Sequence, residues 1–515
     1  MTQADPAKAT RREWIGLAVL SLACVLYAMD LTVLHLAVPK LSAALQPSSA
    51  QLLWIIDIYG FFVAGSLITM GTLGDRIGRR KLLLIGATLF GIVSTIAAFS
   101  NSAGMLIVCR ALMGIAGATL APGTLSLIFN MFPDPNERAK AIGVWISSFS
   151  AGSAIGPVLG GILLEYFWWG SVFLLALPVM ALLLLLGPRV LPEYRDPNAG
   201  KLDPLSAGMS LTAILAIIFG LKQIAQDGIS AIPLIAIAAG LVVGYIFARR
   251  QLGLPDPLID LGLFRIPRFS VSLAANVLAV FIAVGYFLFI AQYLQLVLEM
   301  SPLEAGLWSL PSAICFVIGS NVAPRFIHRY KPGLILGIAM AMSAIGLAIL
   351  AQADGLALVI AANIIISLAL APAFSLTTEL IVSSAPPEKA GAASGISETG
   401  AELGGALGIS ILGSIGTAIY RTELAERLPA SIPAEIAEVA RDTLGAAVGV
   451  ASQLPDDLRQ TLLSVARDAF VQGLHLVALI AAVVAIGASI MIVTLLNKTA
   501  ARSAEIKERE LVHEK

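Results

Sequence analysis

The stretch Trp14–Val38, WIGLAVLSLACVLYAMDLTVLHLAV, decides what kind of protein this is. It is longer than the roughly 20 residues that a helix needs to cross a hydrocarbon core. Arg11 and Arg12 just ahead of it imitate a secretory leader, yet the apolar run continues through Asp30 to Val38 and is followed by many more. The stretch therefore predicts a first transmembrane helix rather than a cleaved leader. It also raises a question, because a carboxylate at the centre of such a helix costs about 2.5–3.5 kcal/mol on insertion scales.

The whole chain has the same character. Its 515 residues are 58% hydrophobic and 13% charged, with a mean hydropathy of +0.88. Soluble domains are about 45–50% apolar and 25% charged, so this excess needs lipid as its solvent. Further runs of spanning length lie near 51–73, 82–100, 105–129, 141–164, 168–188, 205–225, 231–248, 270–296, 304–324, 333–352, 356–383, 390–418 and 471–496. The prediction is an all-α integral membrane protein with fourteen spans. Zero net charge points away from a nucleic-acid partner. Cys24, Cys109 and Cys315 fall in apolar runs with no metal-ligand spacing, which reads as packing rather than a disulfide or a metal site.

With the N-terminus placed inside, 25 lysines and arginines fall on inner segments and one, Lys40, on a short outer loop. The positive-inside rule then puts both termini in the cytoplasm. The basic segments GTLGDRIGRRKLLL (71–84) and APRFIHRYKPGLIL (323–336) occupy matching places if the seventh and eighth spans are an insertion. That divides the chain into a six-helix bundle (1–188), an inserted pair with its connections (189–265) and a second six-helix bundle (266–515), the internal repetition expected of a transporter. The outer loop 419–470 is long. Its Ile436, Val439, Ala440, Leu444, Ala447, Val448 and Ala451 recur at helical spacing, so one or two amphipathic helices are expected there, with a disordered tether as the alternative.

In segment 71–84, Gly71, Gly74 and Gly78 permit tight turns and close helix approach. Asp75 can accept bonds at a helix end or pair with an arginine such as Arg76 or Arg79, forming a latch at the cytoplasmic face. Lys81 lacks the preceding glycine and following hydroxyl of a phosphate-binding loop. In the fifth span Gly152, Gly156 and Gly160 recur every fourth residue and form a stripe for backbone-to-backbone packing, with a bend expected at Pro157. No HExxH, GxSxG or nucleotide motif occurs, and the inner segments are too short for a catalytic domain, so an enzyme is not expected.

GTLGDRIGRR, RALMGIAGA (110–118) and GSAIGPVLGG (152–161) resemble signatures of the major facilitator superfamily. AMDLTVLHLAVPKL, LWIIDIYG, PLIDLGLFR and AGAASGISETGAELGGALG resemble its fourteen-helix drug:proton antiporter branch, in particular multidrug exporters of the QacA and SmvA type. The likeness runs from about Arg12 to Asn497. It implies a monomeric exporter in the bacterial inner membrane that needs no cofactor or metal. Such a protein expels small lipophilic cations, quaternary ammonium biocides and cationic dyes, in exchange for protons. Export of a metabolite, an amino acid or an endogenous antibiotic on the same fold is the alternative.

The charges buried in spans give that implication residues. Asp30, Asp57 and Arg110 share one layer, about 9–12 Å below the outer ends of their helices at 1.5 Å per residue. Arg110 keeps its proton, so Asp30 can alternate between a paired carboxylate and a released carboxylic acid. The resemblance places both at positions implicated in proton coupling; a purely structural ion pair is the alternative. Trp54, Asp57 and Phe61 share a helix face, where a flat cation could stack and be neutralised, although Trp54 would equally serve as an interfacial anchor. Glu398 and Glu402, four apart, are expected with Glu379 to bind substrate and protons. The related pattern has further acids where Ser397 and Phe316 stand here, which favours monovalent cargo. His35 and Lys222, near outer helix ends, read as interfacial.

Overall fold

The computed structural model describes residues 8–47, 49–195, 203–300, 302–322, 330–429 and 431–513. Among the described residues, fourteen helices are long and apolar enough to cross a membrane. They are α1 (Arg11–Leu45), α2 (Ser49–Ile77), α3 (Arg79–Ala98), α4 (Ala103–Met131), α5 (Pro135–Tyr166), α6 (Ser171–Val190) and α7 (Pro204–Asp227). Then follow α8 (Ala231–Gln251), α9 (Pro267–Gln292), α10 (Pro302–Val322), α11 (Pro332–Leu350), α12 (Leu356–Ser383), α13 (Ala390–Arg427) and α14 (Asp456–His513). No strand occurs among the described residues. The basic Arg325 and Arg329 of the second repeated loop, and the side chains of His35 and Pro157, lie outside the described residues.

Two large apolar cores form, one drawn from α1–α6 and one from α9–α14. The pair α7–α8 packs on the seam between them. Phe247, Leu258, Ile259 and Leu263 meet Ile68 of α2 and Ile396 of α13, and Ile218 and Leu221 meet Phe61 and Ala406. The glycine stripe of α5 faces α1. A Cβ on Gly152 would stand 2.3 Å from the Val25 carbonyl oxygen and 2.9 Å from the Ala28 Cβ, and one on Gly160 would stand 2.7 Å from a Val33 methyl. Without a strong hydrophobic drive between helices in lipid, such backbone proximity holds them together. Gly156 is buried on the same stripe.

Helices α13 and α14 run beyond the apolar spans read from sequence. At 1.5 Å per residue, the 38 residues of α13 extend about 57 Å, well past a hydrocarbon core of roughly 30 Å. Leaving the lipid does not end a helix when the next residues are good helix formers, and here Arg427 pairs with Glu423 one turn back at 2.8 Å. The outer segment is therefore mostly helix, including two short ones at Ala434–Asp442 and Leu444–Ala451. Ala440, Leu444, Ala447 and Ala451 are buried on the second bundle, and the Tyr420 hydroxyl donates to the Ala440 carbonyl at 2.7 Å. Val439 and Val448 are exposed instead, because each short helix buries a narrower face than one continuous helix would.

Candidate functional site

The motif Arg110-x-x-x-Gly114-x-x-Gly117 brings α4 against α2. A Cβ on Gly114 would stand 2.5 Å from the Tyr59 carbonyl oxygen, and one on Gly117 would stand 3.0 Å from the Tyr59 hydroxyl. Tyr59 thereby lies beneath Arg110, whose guanidinium sits 4.4 Å from the ring centre. Arg110 donates from Nη1 to Asp30 Oδ2 at 2.6 Å and from Nε to the Ile55 carbonyl at 3.3 Å. The arginine side chain is 1% exposed and the aspartate 12%. A small cavity between α1 and α6, lined by Leu26, Val33, Val172 and Phe173, opens on Asp30. The cation is fixed from three sides, whereas its carboxylate partner is less enclosed.

Asp57 has a different partner. Lys222 of α7, expected at the interface, donates to Asp57 Oδ1 at 2.8 Å, with exposures of 30% and 21%. Its ammonium also lies 4.7 Å from the Phe61 ring centre. The Trp54 ring stacks on Phe219 at 6.4 Å with 7° between planes and meets Phe61 edge-on at 6.1 Å. Two helices thus offer matching i, i+3 pairs: Trp54 and Asp57 on α2, Phe219 and Lys222 on α7. Aromatic meets aromatic and carboxylate meets ammonium.

Glu398 and Glu402 lie half-buried on one face of α13. Among the described residues neither has an ion-pair partner within 4 Å. Tyr27, three residues before Asp30, neighbours Glu402. Asp30, Glu398 and Glu402 all lie within electrostatic reach of Tyr27, and Lys222 lies within reach of Glu402. The Tyr27 and Tyr59 rings are 6.2 Å apart. The structure therefore gathers Asp30, Asp57, Glu398 and Glu402 around Arg110 and Lys222, leaving two negative charges in excess when all are ionised. Glu379 is elsewhere. It sits near the ends of α5 and α9 that carry its basic neighbours Arg138 and Arg268. Phe316 packs at 5.9 Å from Phe374 and Ser397 is buried.

Sequence reasoning missed Tyr27, Tyr59, Phe219 and the partnership of Lys222. The i, i+3 spacing of Phe219 and Lys222, echoing Trp54 and Asp57, is the signal that could have found two of them. Tyr59 carried no signal of its own, since its position depends on the glycines of α4.

At one end of the molecule the two bundles meet through segment 71–84. Asp75 Oδ1 accepts from Arg79 Nε at 2.9 Å and from the Gly391 amide at 3.1 Å, while Oδ2 accepts from the Ala392 amide at 2.9 Å. One buried carboxylate thus holds an arginine of its own bundle and the first turn of α13, where free amides favour an anion. Gly71 lies against the same turn, since a Cβ there would stand 2.3 Å from the Gly391 oxygen. Gly78, at φ +112°, makes the break between α2 and α3 in a conformation that other residues rarely adopt. Arg76 reaches the carbonyls of Asp256 and Pro257 at 3.4 Å. Nearby, Lys389 donates to Asp260 at 2.7 Å and holds that carboxyl below its usual range. The bridge is therefore present at neutral pH and is lost as pH falls through the lowered value. On the same end Ser147 meets Ser320 and Asn321, each at 3.0 Å. Both halves of the molecule are sealed together on this face.

The sequence profile described as Major Facilitator Superfamily matches residues 20–409. The chain belongs to the major facilitator superfamily. It is a multi-pass membrane transporter, not an enzyme. This facilitator is 43% identical to the multidrug efflux pump LfrA of Mycolicibacterium smegmatis, over 93% of its own length and 96% of that protein. It is 38% identical to the methyl viologen resistance protein SmvA of Salmonella typhimurium (91% and 95% covered). It is 32% identical to the tetracenomycin C resistance and export protein of Streptomyces glaucescens (94% and 92%). Among solved structures, the human organic anion transporter MFSD10 aligns with a TM-score of 0.56 at 16% identity, covering 90% of this chain and 99% of that one. That likeness speaks for the fold alone.

Proposed function

We propose that this facilitator is a multidrug efflux pump that exchanges protons for lipophilic cations, quaternary ammonium compounds and cationic dyes among them. It works as a monomer in the bacterial inner membrane with both termini cytoplasmic. The observation that carries the reading is the cluster's excess of carboxylates, carried by three helices and bordered by aromatic rings. Buried acids without ion-pair partners are stable when protonated or when a cation arrives. Asp30 and Arg110 couple the proton; Asp57, Trp54, Glu398 and Glu402 receive cargo or protons. The resemblance to pumps named for multidrug efflux and methyl viologen resistance supports the same substrate class.

Alternating access supplies the vectorial step. The sealed face is the basic, cytoplasmic one under the positive-inside rule, so this conformation is closed to the inside. Protonation from outside would release cargo, and reopening inside would require the Asp75 latch and the Ser147–Ser320 contact to part. Gly71, Gly78, Arg79 and the α5 stripe serve this motion as gating elements, and Glu379 joins them through Arg138 and Arg268. Each elementary charge moved across 100 mV supplies about 2.3 kcal/mol.

Ethidium efflux from proteoliposomes, read together with internal pH, tests the reading. Uphill dye movement that stops when the proton gradient is collapsed is expected. Failure to transport any cation, with transport of an amino acid or a neutral antibiotic instead, would favour the alternative exporter. Including methyl viologen, which carries two charges, tests whether Ser397 and Phe316 restrict the pump to single charges.

A further inference from the structure

Two ion pairs belong to this cluster, and they are built for different tasks. Arg110 is 1% exposed and held by Asp30, a carbonyl and a ring. Lys222 is 30% exposed and its partner Asp57 is 21% exposed. A guanidinium fork engaged on several sides is fixed, whereas an ammonium on a flexible four-carbon stem exchanges readily. The lysine pair is thus far less enclosed than the arginine pair.

The seat that Lys222 occupies has the chemistry of a cation receptor. It comprises a carboxylate oxygen at 2.8 Å and the face of Phe61 at 4.7 Å, with the stacked Trp54 and Phe219 rings adjoining. A carboxylate beside aromatic faces is what an alkylammonium or a pyridinium ring binds. In this conformation the protein's own ammonium fills it. Lys222 is not needed to fasten α7, because Gly65 of α2 packs on Leu211 and Leu215, and Phe61 and Ala64 pack with Ile218 and Leu221. A displaced Lys222 also has a second anion within electrostatic reach, Glu402 of the other bundle.

We propose that Lys222 is a tethered competitor of the cargo. Its ammonium holds the Asp57 seat when the pump is empty, yields to the cationic head of a substrate by turning toward Glu402, and returns to Asp57 to expel that head. The inserted helix pair thereby contributes a residue that sets affinity and release, not merely bulk between the bundles. The inference rests on the reading of this chain as a cation exporter.

The test is equilibrium binding of tetraphenylphosphonium to the full-length protein in nanodiscs. Lys222→Met should bind about fivefold more tightly than wild type, because apparent affinity scales with the fraction of protein whose seat is free. Lys222→Arg should stay near wild type, Asp57→Asn should bind more weakly, and the double variant Asp57→Asn/Lys222→Met should resemble Asp57→Asn. In proteoliposomes Lys222→Met should lower both KM and the maximal rate of dye efflux, since tighter cargo leaves more slowly. If Lys222→Met does not accumulate as folded protein, Lys222→Gln carries the same comparison. Unchanged or weaker binding by the uncharged Lys222 variant, with wild type binding normally, overturns the competitor role and leaves the export reading standing. Absence of cation binding by wild type overturns both.

Discussion

Asp30→Asn should abolish proton-driven ethidium efflux while folded protein remains in the membrane. The asparagine amide can still lie beside Arg110 but cannot be ionised, so the arginine loses the charge that protonation is meant to switch. Removing one partner of a buried pair costs about 3–5 kcal/mol of stability as a rule, and two features soften that cost here. Arg110 keeps the Ile55 carbonyl and the Tyr59 ring, and the Asp30 side chain is 12% exposed rather than fully enclosed. Dye counterflow, which needs no proton movement, separates the cases. Asp30→Asn should retain counterflow and lose gradient-driven efflux, and Asp30→Glu should keep part of both. Gradient-driven efflux at the wild-type rate in Asp30→Asn would reject the coupling role.

Asp75→Ala carries the second large effect. It leaves the buried Arg79 without its carboxylate and strips the Gly391 and Ala392 amides of their acceptor. Each buried amide left without its acceptor costs about 1–3 kcal/mol, and the loss falls on the conformation sealed at this face. A differential penalty of about 2.8 kcal/mol would shift the equilibrium between sealed and open states about a hundredfold toward the open one. Transport should fall at least tenfold. A cysteine placed at Ser394, buried beside Ser126 in the sealed state, should react faster with a membrane-impermeant thiol reagent in Asp75→Ala than in wild type. Equal labelling would mean that Asp75 does not hold the gate.

The fold was legible because lipid imposes a length on every span. All fourteen helices follow from that. The helix ends were not legible, since α13 and α14 continue on polar helix formers whose extension no hydrophobic pattern records. For the candidate site, charge alone pointed to Asp30, Asp57, Arg110, Glu398 and Glu402, for an ionisable group at membrane depth requires a reason. Pairing was less accessible. Lys222 looks like a snorkelling residue from its distance to the helix end, and its meeting with Asp57 depends on how α7 seats against α2. Tyr27 and Tyr59 are ordinary amphipathic residues in sequence and become part of the chamber only through the glycines of α4 and α5. Glu379 shows the converse case, an intramembrane acid that lies near Arg138 and Arg268 rather than with the other carboxylates.

The most direct measurement follows protons when cargo binds. Tetraphenylphosphonium is added to detergent-solubilised protein in weakly buffered solution, and proton release is read by a pH indicator. The account predicts release on binding in wild type and little or none in Glu398→Gln/Glu402→Gln. Saturable binding of the cation with no proton released at any pH between about 5 and 8 would contradict it.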